Sequence, residues 1–276
     1  LRLAGWREFE APWQERWDEI VLYAGKHKEE NWALLEAANG LMTENAKTLF
    51  VVPNEYGSKS YQRRLQDEGR LLDYESGRKS RLYRLRRVAS EATLQPLDAL
   101  RRNAAGYWSS PGLFSWNEVD RGSALLAEAL KGEVLKGPIG DLGAGWGYLG
   151  TALDGKQHLH LFESDRRGLA AAQKNLEGRA VTGHWCDLTD TEHWPPGAPT
   201  TLGTVISNPP FHAGKRQEAA LGQLFARLAH RLLPPGGAFW LVGNTHLGYP
   251  RLLATLFGAV DVRLQKDGFT VVKAHK

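Results

Sequence analysis

From Lys136 to the carboxyl end, short apolar runs alternate with segments whose apolar residues recur every three or four positions, and that alternation points to a parallel sheet covered by helices. Gly137 to Leu142, His158 to Glu163, Val181 to Cys186, Gly203 to Ser207 and Ala238 to Val242 read as strands. Tyr148 to Leu153, Arg166 to Leu176, Ala219 to Leu233 and Arg251 to Phe257 read as helices. The third of these stops at Pro234-Pro235-Gly236-Gly237, which cannot continue a helix. Val260 to Gln265 and Phe269 to Ala274 flank Lys266-Asp267-Gly268, where Asp-Gly signals a hairpin, so the sheet is expected to end in an antiparallel pair.

The first hundred residues repeat the second half of that order. Ile20 to Tyr23 is strand-like, Asn31 to Leu41 helical, Thr48 to Val52 a strand and Tyr61 to Gln66 helical; Leu71 to Arg87 forms a hairpin around Ser76-Gly77. Phe50-Val51-Val52-Pro53-Asn54 stands where Trp240-Leu241-Val242-Gly243-Asn244 stands later. Two related α/β units are expected, the first incomplete, although any two α/β segments share something at this level. The boundaries read as 1–90 for the partial unit, 91–108 for a linker and 109–276 for the complete unit.

With 276 residues, 42% of them hydrophobic and 24% charged, the chain has enough apolar material for these units, which excludes disordered and fibrous classes. No apolar stretch reaches the roughly 20 residues of a membrane span, and Leu1 to Glu10 mixes charge with aromatics, unlike a signal peptide. A soluble, cytoplasmic protein with no membrane partner is expected. The single cysteine, Cys186, excludes an internal disulfide and a Cys-rich metal site, so no metal is expected. The chain opens at Leu1 and its only methionine is Met42, so the numbering is expected to begin inside a longer product. Net charge is only +4, but Gly57 to Asn103 carries 12 lysines and arginines against 6 acids. That surface can face phosphates, or it can be an ordinary solvated one.

Asp141-Leu142-Gly143-Ala144-Gly145-Trp146-Gly147 follows a strand and precedes a helix, which sets it at the carboxyl edge where open α/β sheets bind ligands. Glycines there let backbone approach a ligand. An acid two residues before the first glycine would repel a pyrophosphate, yet it suits the ammonium and sulfonium of S-adenosyl-L-methionine. Asp141, Gly143, Ala144, Gly145 and Gly147 are therefore candidate cofactor residues. Glu163 ends the second strand, where an acid can accept from both ribose hydroxyls; Asp165 competes for that role. Asp187 ends the third strand, placed to accept from an adenine amine, with Cys186 and Leu188 near the ring. Any of these acids can instead cap a helix.

Ser207-Asn208-Pro209-Pro210-Phe211-His212 directly follows the fourth strand. Consecutive prolines stiffen the chain and lack N–H donors, leaving carbonyl oxygens free to point into a site. An sp² amine is a poor nucleophile because its lone pair is delocalised. Accepting both of its protons, at the Asn208 oxygen and the Pro209 carbonyl, orients the nitrogen toward a methyl donor. Phe211 would stack on a flipped base, and His212 can assist.

These residues resemble the RsmC/RlmG family of methyltransferases that modify guanine N2 in bacterial ribosomal RNA. Pro111-Gly112-Leu113-Phe114-Ser115, then Asp120 and Gly122-Ser123, is similar to the family's approach to its cofactor domain; Asn208 to His212 matches its catalytic tetrad and trailing histidine. Asn244, Leu247 and Tyr249-Pro250 resemble the loop after the fifth strand. The resemblance implies a Rossmann-like class I fold, a mostly parallel seven-stranded sheet preceded by a decayed partial copy. It implies catalysis at Asn208, Pro209, Pro210 and Phe211, with Asn208 also at the cofactor, and substrate contacts from Phe211, His212, Asn244 and Tyr249. It further implies S-adenosyl-L-methionine turned into S-adenosyl-L-homocysteine, and 16S rRNA or the small subunit as partner, the first unit helping to bind RNA; separately from the resemblance, a monomer is expected. Tyr23-Ala24-Gly25-Lys26 replaces the Asn-Pro-Pro-Phe run there. Three features depart from the family: the first half of that unit is missing, Arg121 replaces an apolar residue, and Thr270 replaces a basic one. Guanine of 23S rRNA and a protein glutamine amide are the alternative acceptors.

Overall fold

The computed structural model describes residues 16–89, 100–190, 193–210 and 215–276, with the side chains of 215–219 outside the description. The readings for Leu1 to Glu10 and for 91–99 therefore fall outside the described residues. The chain forms two compact units, Leu1–Ala99 and Leu100–Lys276.

The first unit runs β1 (Trp17–Tyr23), α1 (Lys28–Leu41), β2 (Met42–Pro53), α2 (Lys59–Asp67), β3 (Leu71–Gly77) and β4 (Ser80–Arg86). Its sheet has the order β1-β2-β4-β3, with β1 parallel to β2 and β4 antiparallel to both neighbours. Alternate residues Phe50 and Val52, with Tyr83 and Leu85, face one side and bury Leu35 of α1 and Tyr61 and Leu65 of α2. Gly77 pairs with Ser80, so the hairpin turns at Arg78-Lys79, at φ +48° and +59°, and not around Ser76-Gly77. The twist of a two-residue hairpin demands positive φ at both centres, and the register set by the Tyr83 and Leu85 core positions overrides the local glycine. Each non-glycine residue held there costs roughly 1 kcal/mol.

The second unit begins with two short strands, β5 (Arg101–Arg102) and β6 (Trp108–Ser109), followed by α3 (Arg121–Leu130). Then come β7 (Ile139–Leu142), α4 (Tyr148–Thr151), β8 (Leu159–Glu163), α5 (Arg166–Asn175) and β9 (Val181–Trp185). β10 (Thr204–Ser207), α6 (Lys215–Leu232), β11 (Ala238–Asn244), α7 (Tyr249–Leu253), β12 (Ala259–Lys266) and β13 (Phe269–His275) complete it. The seven-stranded order is β12-β13-β11-β10-β7-β8-β9, parallel except for β13, which runs against both neighbours. This is the expected Rossmann-like architecture, and the first unit reproduces its β10-β11-β13-β12 half strand for strand.

Period-two alternation gives the sheet two apolar faces. Val205, Phe239, Leu241 and Val272 pack on Phe225, Ala229 and Leu253 of α6 and α7. Ile206, Trp240, Val242 and Val271 pack on Leu126, Leu149 and Leu169 of α3, α4 and α5. Residues 100–108, expected as linker, instead belong to this unit. Leu100 and Tyr107 pack on Leu113, Trp146 and Ala171, and Asn175 clasps the Trp108 backbone, accepting from its N–H at 2.7 Å and donating to its carbonyl at 2.8 Å. Their aromatic area is worth more buried than in a solvated tether.

Candidate active site

In the second unit the chain leaves β7 for β8 and β9 on one side, then crosses to β10 on the other. Such a reversal opens a crevice between the carboxyl ends of the two strands, here those of β7 and β10. Ile206 pairs with Asp141 and Ser207 with Leu142, and the Ser207 hydroxyl donates to the Leu142 carbonyl at 2.7 Å. The glycine turn and the Asn-Pro-Pro segment are thus neighbours at one edge. Asp141 shares the parity of Ile139, and Asn208 that of Ile206, so both side chains lie toward α3.

Gly143, Gly145 and Gly147 hold φ of +76°, +53° and +85°, which side-chain-bearing residues adopt only under strain. At Gly147 a Cβ would also lie 2.8 Å from Ala172, so glycine lets the turn close on α5. Around Gly145 a Cβ would meet nothing within 4 Å, which leaves one side of the turn an open cradle. The turn is tied down by Glu163: Oε2 accepts from Gly145 N at 2.7 Å and Oε1 from Asp165 N at 2.7 Å. Asp165 itself caps α5, accepting from Arg167 N at 2.9 Å, and pairs with the Arg167 guanidinium at 2.8 Å. Between the two acids, Glu163 is the one at the cradle.

Asp141 is fully buried, and neither of its carboxylate oxygens has a hydrogen-bond partner. Burial, reinforced by the nearby Glu163 charge, pushes its pKa up to about 8. A carboxyl in that position suits a cation. Asp187 accepts through Oδ1 from Thr189 N at 2.8 Å and from its hydroxyl at 2.7 Å. Beside it a cavity of about 220 Å³ is walled by Cys186, Leu188, Leu224 and Leu228. Burial, then the charges of Glu163 and Asp187, lifts the Cys186 thiol to about 11, which keeps it protonated.

Asn208 is half-buried, and its Nδ2 donates to Asp120 Oδ2 and Ser123 Oγ, both at 2.8 Å. Its Oδ1 is buried without a partner. Pro209 is buried and Pro210 exposed; Phe211 and His212 lie outside the described residues. Asn244 ends β11, half-buried at the same edge. Tyr249, expected at the substrate, is only 2% exposed. Added Cβ atoms at Gly243 and Gly222 would meet its ring at 2.2 and 2.5 Å, so the ring fills a slot between β11 and α6. Sequence reasoning missed the roles of Asp120 and Ser123. Asp-x-x-Ser signals a helix cap, and Asp120 does cap α3 by accepting from Ser123 N at 2.8 Å. Its second bond reaches 88 residues along the chain.

A glycine-turn cradle, a buried acid and an Asn-Pro-Pro edge on this sheet define a group-transfer site of the methyltransferase kind. Residues 105–273 match the methyltransferase small domain and residues 3–101 its N-terminal companion, and the chain belongs to this family. It is 29% identical over 273 residues to ribosomal RNA small subunit methyltransferase C of Vibrio cholerae, across 94% of this chain and 77% of that protein. With its namesake from Pseudomonas syringae pv. syringae, identity is 28% over 284 residues, across 97% and 81% of the two chains. A solved T. thermophilus 16S rRNA N2 guanine methyltransferase, in complex with AdoMet and guanosine, superposes with a TM-score of 0.70 at 25% identity. That match covers 95% of this chain and 73% of the other. The RsmC/RlmG resemblance read from the motifs is thereby borne out. Among the described residues no helix is long and apolar enough to cross a membrane.

Proposed function

We propose that this protein methylates the exocyclic N2 of a guanosine in 16S rRNA of the small ribosomal subunit, in the cytoplasm. One observation carries the reading: at adjacent ends of β7 and β10, two buried polar groups, the Asp141 carboxyl and Asn208 Oδ1, are left without partners. A buried acceptor without a partner costs about 1–3 kcal/mol, more when charged, so a fold keeps it where a ligand completes it. The relatives' names and the guanosine-bound neighbour support the acceptor and the RNA.

S-adenosyl-L-methionine supplies the electrophilic methyl group and leaves as S-adenosyl-L-homocysteine. Asp141 would hold its cationic end, the backbone of Gly143, Ala144, Gly145 and Gly147 would cradle it, and Glu163 would accept from its ribose. Asp187 Oδ2 is the oxygen we assign to the adenine amine, with Leu188 against the ring. Asn208 Oδ1 and the Pro209 carbonyl accept the two protons of the guanine amine and aim its nitrogen, while Pro210 stiffens the segment. Phe211 stacks on the base, and Asn244 lines its edge. No strong base is needed, because the amine sheds its proton after transfer.

The first unit offers a surface for the RNA backbone. Arg64 pairs with Glu68, Arg70 with Glu36 and Glu68, and Arg84 with Asp73 and Glu75. Among the described residues no carboxylate pairs with Lys59, Arg78, Lys79 or Arg81, and Lys59 and Arg81 line one cavity of about 570 Å³. These four are the candidates for phosphate contact. Incubation with labelled cofactor and, separately, naked 16S rRNA, 30S subunits, 23S rRNA and release factor tests the reading. N2-methylguanosine from 16S rRNA or 30S subunits is expected; label confined to 23S rRNA or to a protein glutamine overturns it.

A further inference from the structure

The segment Asp120, Gly122-Ser123 takes no part in the chemistry above, yet it holds the side chain at its centre. A primary amide has a donor end and an acceptor end of nearly equal size, so shape alone does not choose which end faces a ligand. Here the surroundings choose. A carboxylate oxygen only accepts, so the end of Asn208 that meets Asp120 Oδ2 at 2.8 Å must be Nδ2. The Ser123 hydroxyl receives the second N–H, also at 2.8 Å. Turning the amide over would exchange the charge-assisted bond to Asp120 for an oxygen facing a carboxylate, leaving only a bond donated by the Ser123 hydroxyl, which can donate as well as accept. Oδ1 is thereby driven to the far side, where it sits buried and partnerless.

The grip is itself anchored. Asp120 Oδ2 accepts from Ser123 N as the cap of α3, so the oxygen that holds Asn208 is fixed by a helix terminus. Gly122 permits this closeness: a Cβ there would lie 3.1 Å from both Asp120 Oδ2 and the Phe269 ring at the start of β13. We infer that Asp120 and Ser123 are positioning residues that lock the Asn208 amide with its oxygen toward the acceptor base, so that the site takes an amine and rejects a carbonyl. On guanine this selects N2, a donor, over O6, an acceptor. The inference rests on the reading of Asn208 as the amine's acceptor.

Four variants test it: Asp120→Ser, Ser123→Ala, Asp120→Asn and Asn208→Ala. Serine keeps a helix-capping side chain but is too short to reach Asn208, whereas asparagine can place its own oxygen where Oδ2 stands. Asp120→Ser should lower kcat roughly 10- to 100-fold and Ser123→Ala by about 3- to 10-fold, with Tm and cofactor Kd near wild type; Asp120→Asn should recover most of the loss. The discriminating readout is the double variant: Asp120→Ser on the Asn208→Ala background should cause no further loss, because the lock acts only through Asn208. Equal losses on both backgrounds, or single-variant rates within about twofold of wild type, overturn the inference. The Asn208 side-chain NH₂ signals in ¹⁵N spectra test the lock without turnover. Slow solvent exchange in the wild type that becomes fast in Asp120→Ser supports it, and equal exchange overturns it. A wild type that shows the slow exchange yet transfers no methyl to guanine would fault the proposed function alone.

Discussion

The two units share one half-sheet and treat its edge in opposite ways. Hairpin register sets Pro53, opposite Ser80, level with Asn244, opposite Phe269, one residue from the match suggested by the sequence wording. Tyr23, paired with Val51, then falls where Asn208 stands. In the first unit the segment after that strand is closed upon itself: the fully buried Asn31 accepts from Gly25 N and donates to Gly25 O, each at 2.9 Å, and donates to the Tyr61 hydroxyl at 2.7 Å. Among the described residues of that unit, the buried side-chain polar atoms that lack a hydrogen bond, Glu68 Oε2 and Arg70 Nε, face each other as an ion pair at 2.8 Å. In the second unit the same edge leaves Asn208 Oδ1 without a partner, and the adjoining strand β7, beyond the shared half, adds the partnerless Asp141. One fold half is thus closed upon itself where its polar groups satisfy each other, and keeps an open acceptor where they do not.

The sharpest way to break this comparison is to remove the open acceptor. Asn208→Ala should lower kcat by about 10²- to 10³-fold, the usual cost of losing a preorganised polar partner, with cofactor affinity near wild type by calorimetry. Transfer that persists within a few-fold would assign the chemistry elsewhere. Next is Asp141→Asn, which should weaken cofactor binding by about 100-fold through loss of a buried ion pair. The same substitution tests the pH behaviour. Because the Asp141 pKa rises from 3.8 to about 8, the folded cofactor-free protein keeps a proton that the unfolded chain has released. That contribution to stability is full below pH 3.8 and is lost as pH rises toward 8, so melting curves of Asp141→Asn should lack this decline. Cofactor binding at pH 7 should release a proton, seen as a buffer-dependent heat; a buffer-independent heat would contradict an initially protonated Asp141.

Asn31→Ala is the converse experiment in the first unit. It strands the Gly25 backbone, and about 1–3 kcal/mol of stability should go, lowering the melting temperature without changing kcat on guanosine. An unchanged melting temperature would show that this edge is not held shut by Asn31. The smallest effect is expected from replacing Arg78-Lys79 with Asn-Gly. The hairpin should persist or gain slightly in stability, while the salt dependence of RNA affinity should lose a slope of about two if both cations meet phosphates.

Most of the fold was legible because strand and helix periods survive in the apolar residues of both units, and Asp267-Gly268, at φ +51° and +82°, forms the turn its identity foretells. The Arg78-Lys79 turn was not, since register there is imposed by cross-strand packing and no local residue prefers it. The placement of Asp141, the glycines, Glu163 and Asn208 along one sheet edge could be read because each lies at or next to the end of a strand. The burial of Tyr249 was not legible, since the slot that holds its ring is made by Gly222 and Gly243 on two other elements. Asp120 and Gly122-Ser123 stood out only as a family-like segment, and the hold of Asp120 on Asn208 was not legible, because a helix cap looks the same whether or not its second lone pair is used.

A structure of the protein with S-adenosyl-L-homocysteine and guanosine would test the central claim most directly. The account predicts the guanine N2 within about 3.2 Å of both Asn208 Oδ1 and the Pro209 carbonyl, with Asn208 Nδ2 still on Asp120 and the cofactor's ammonium against Asp141. A guanine amine pointing away from the Asn-Pro-Pro segment, or an Asn208 amide turned to present Nδ2 to the base, would contradict it.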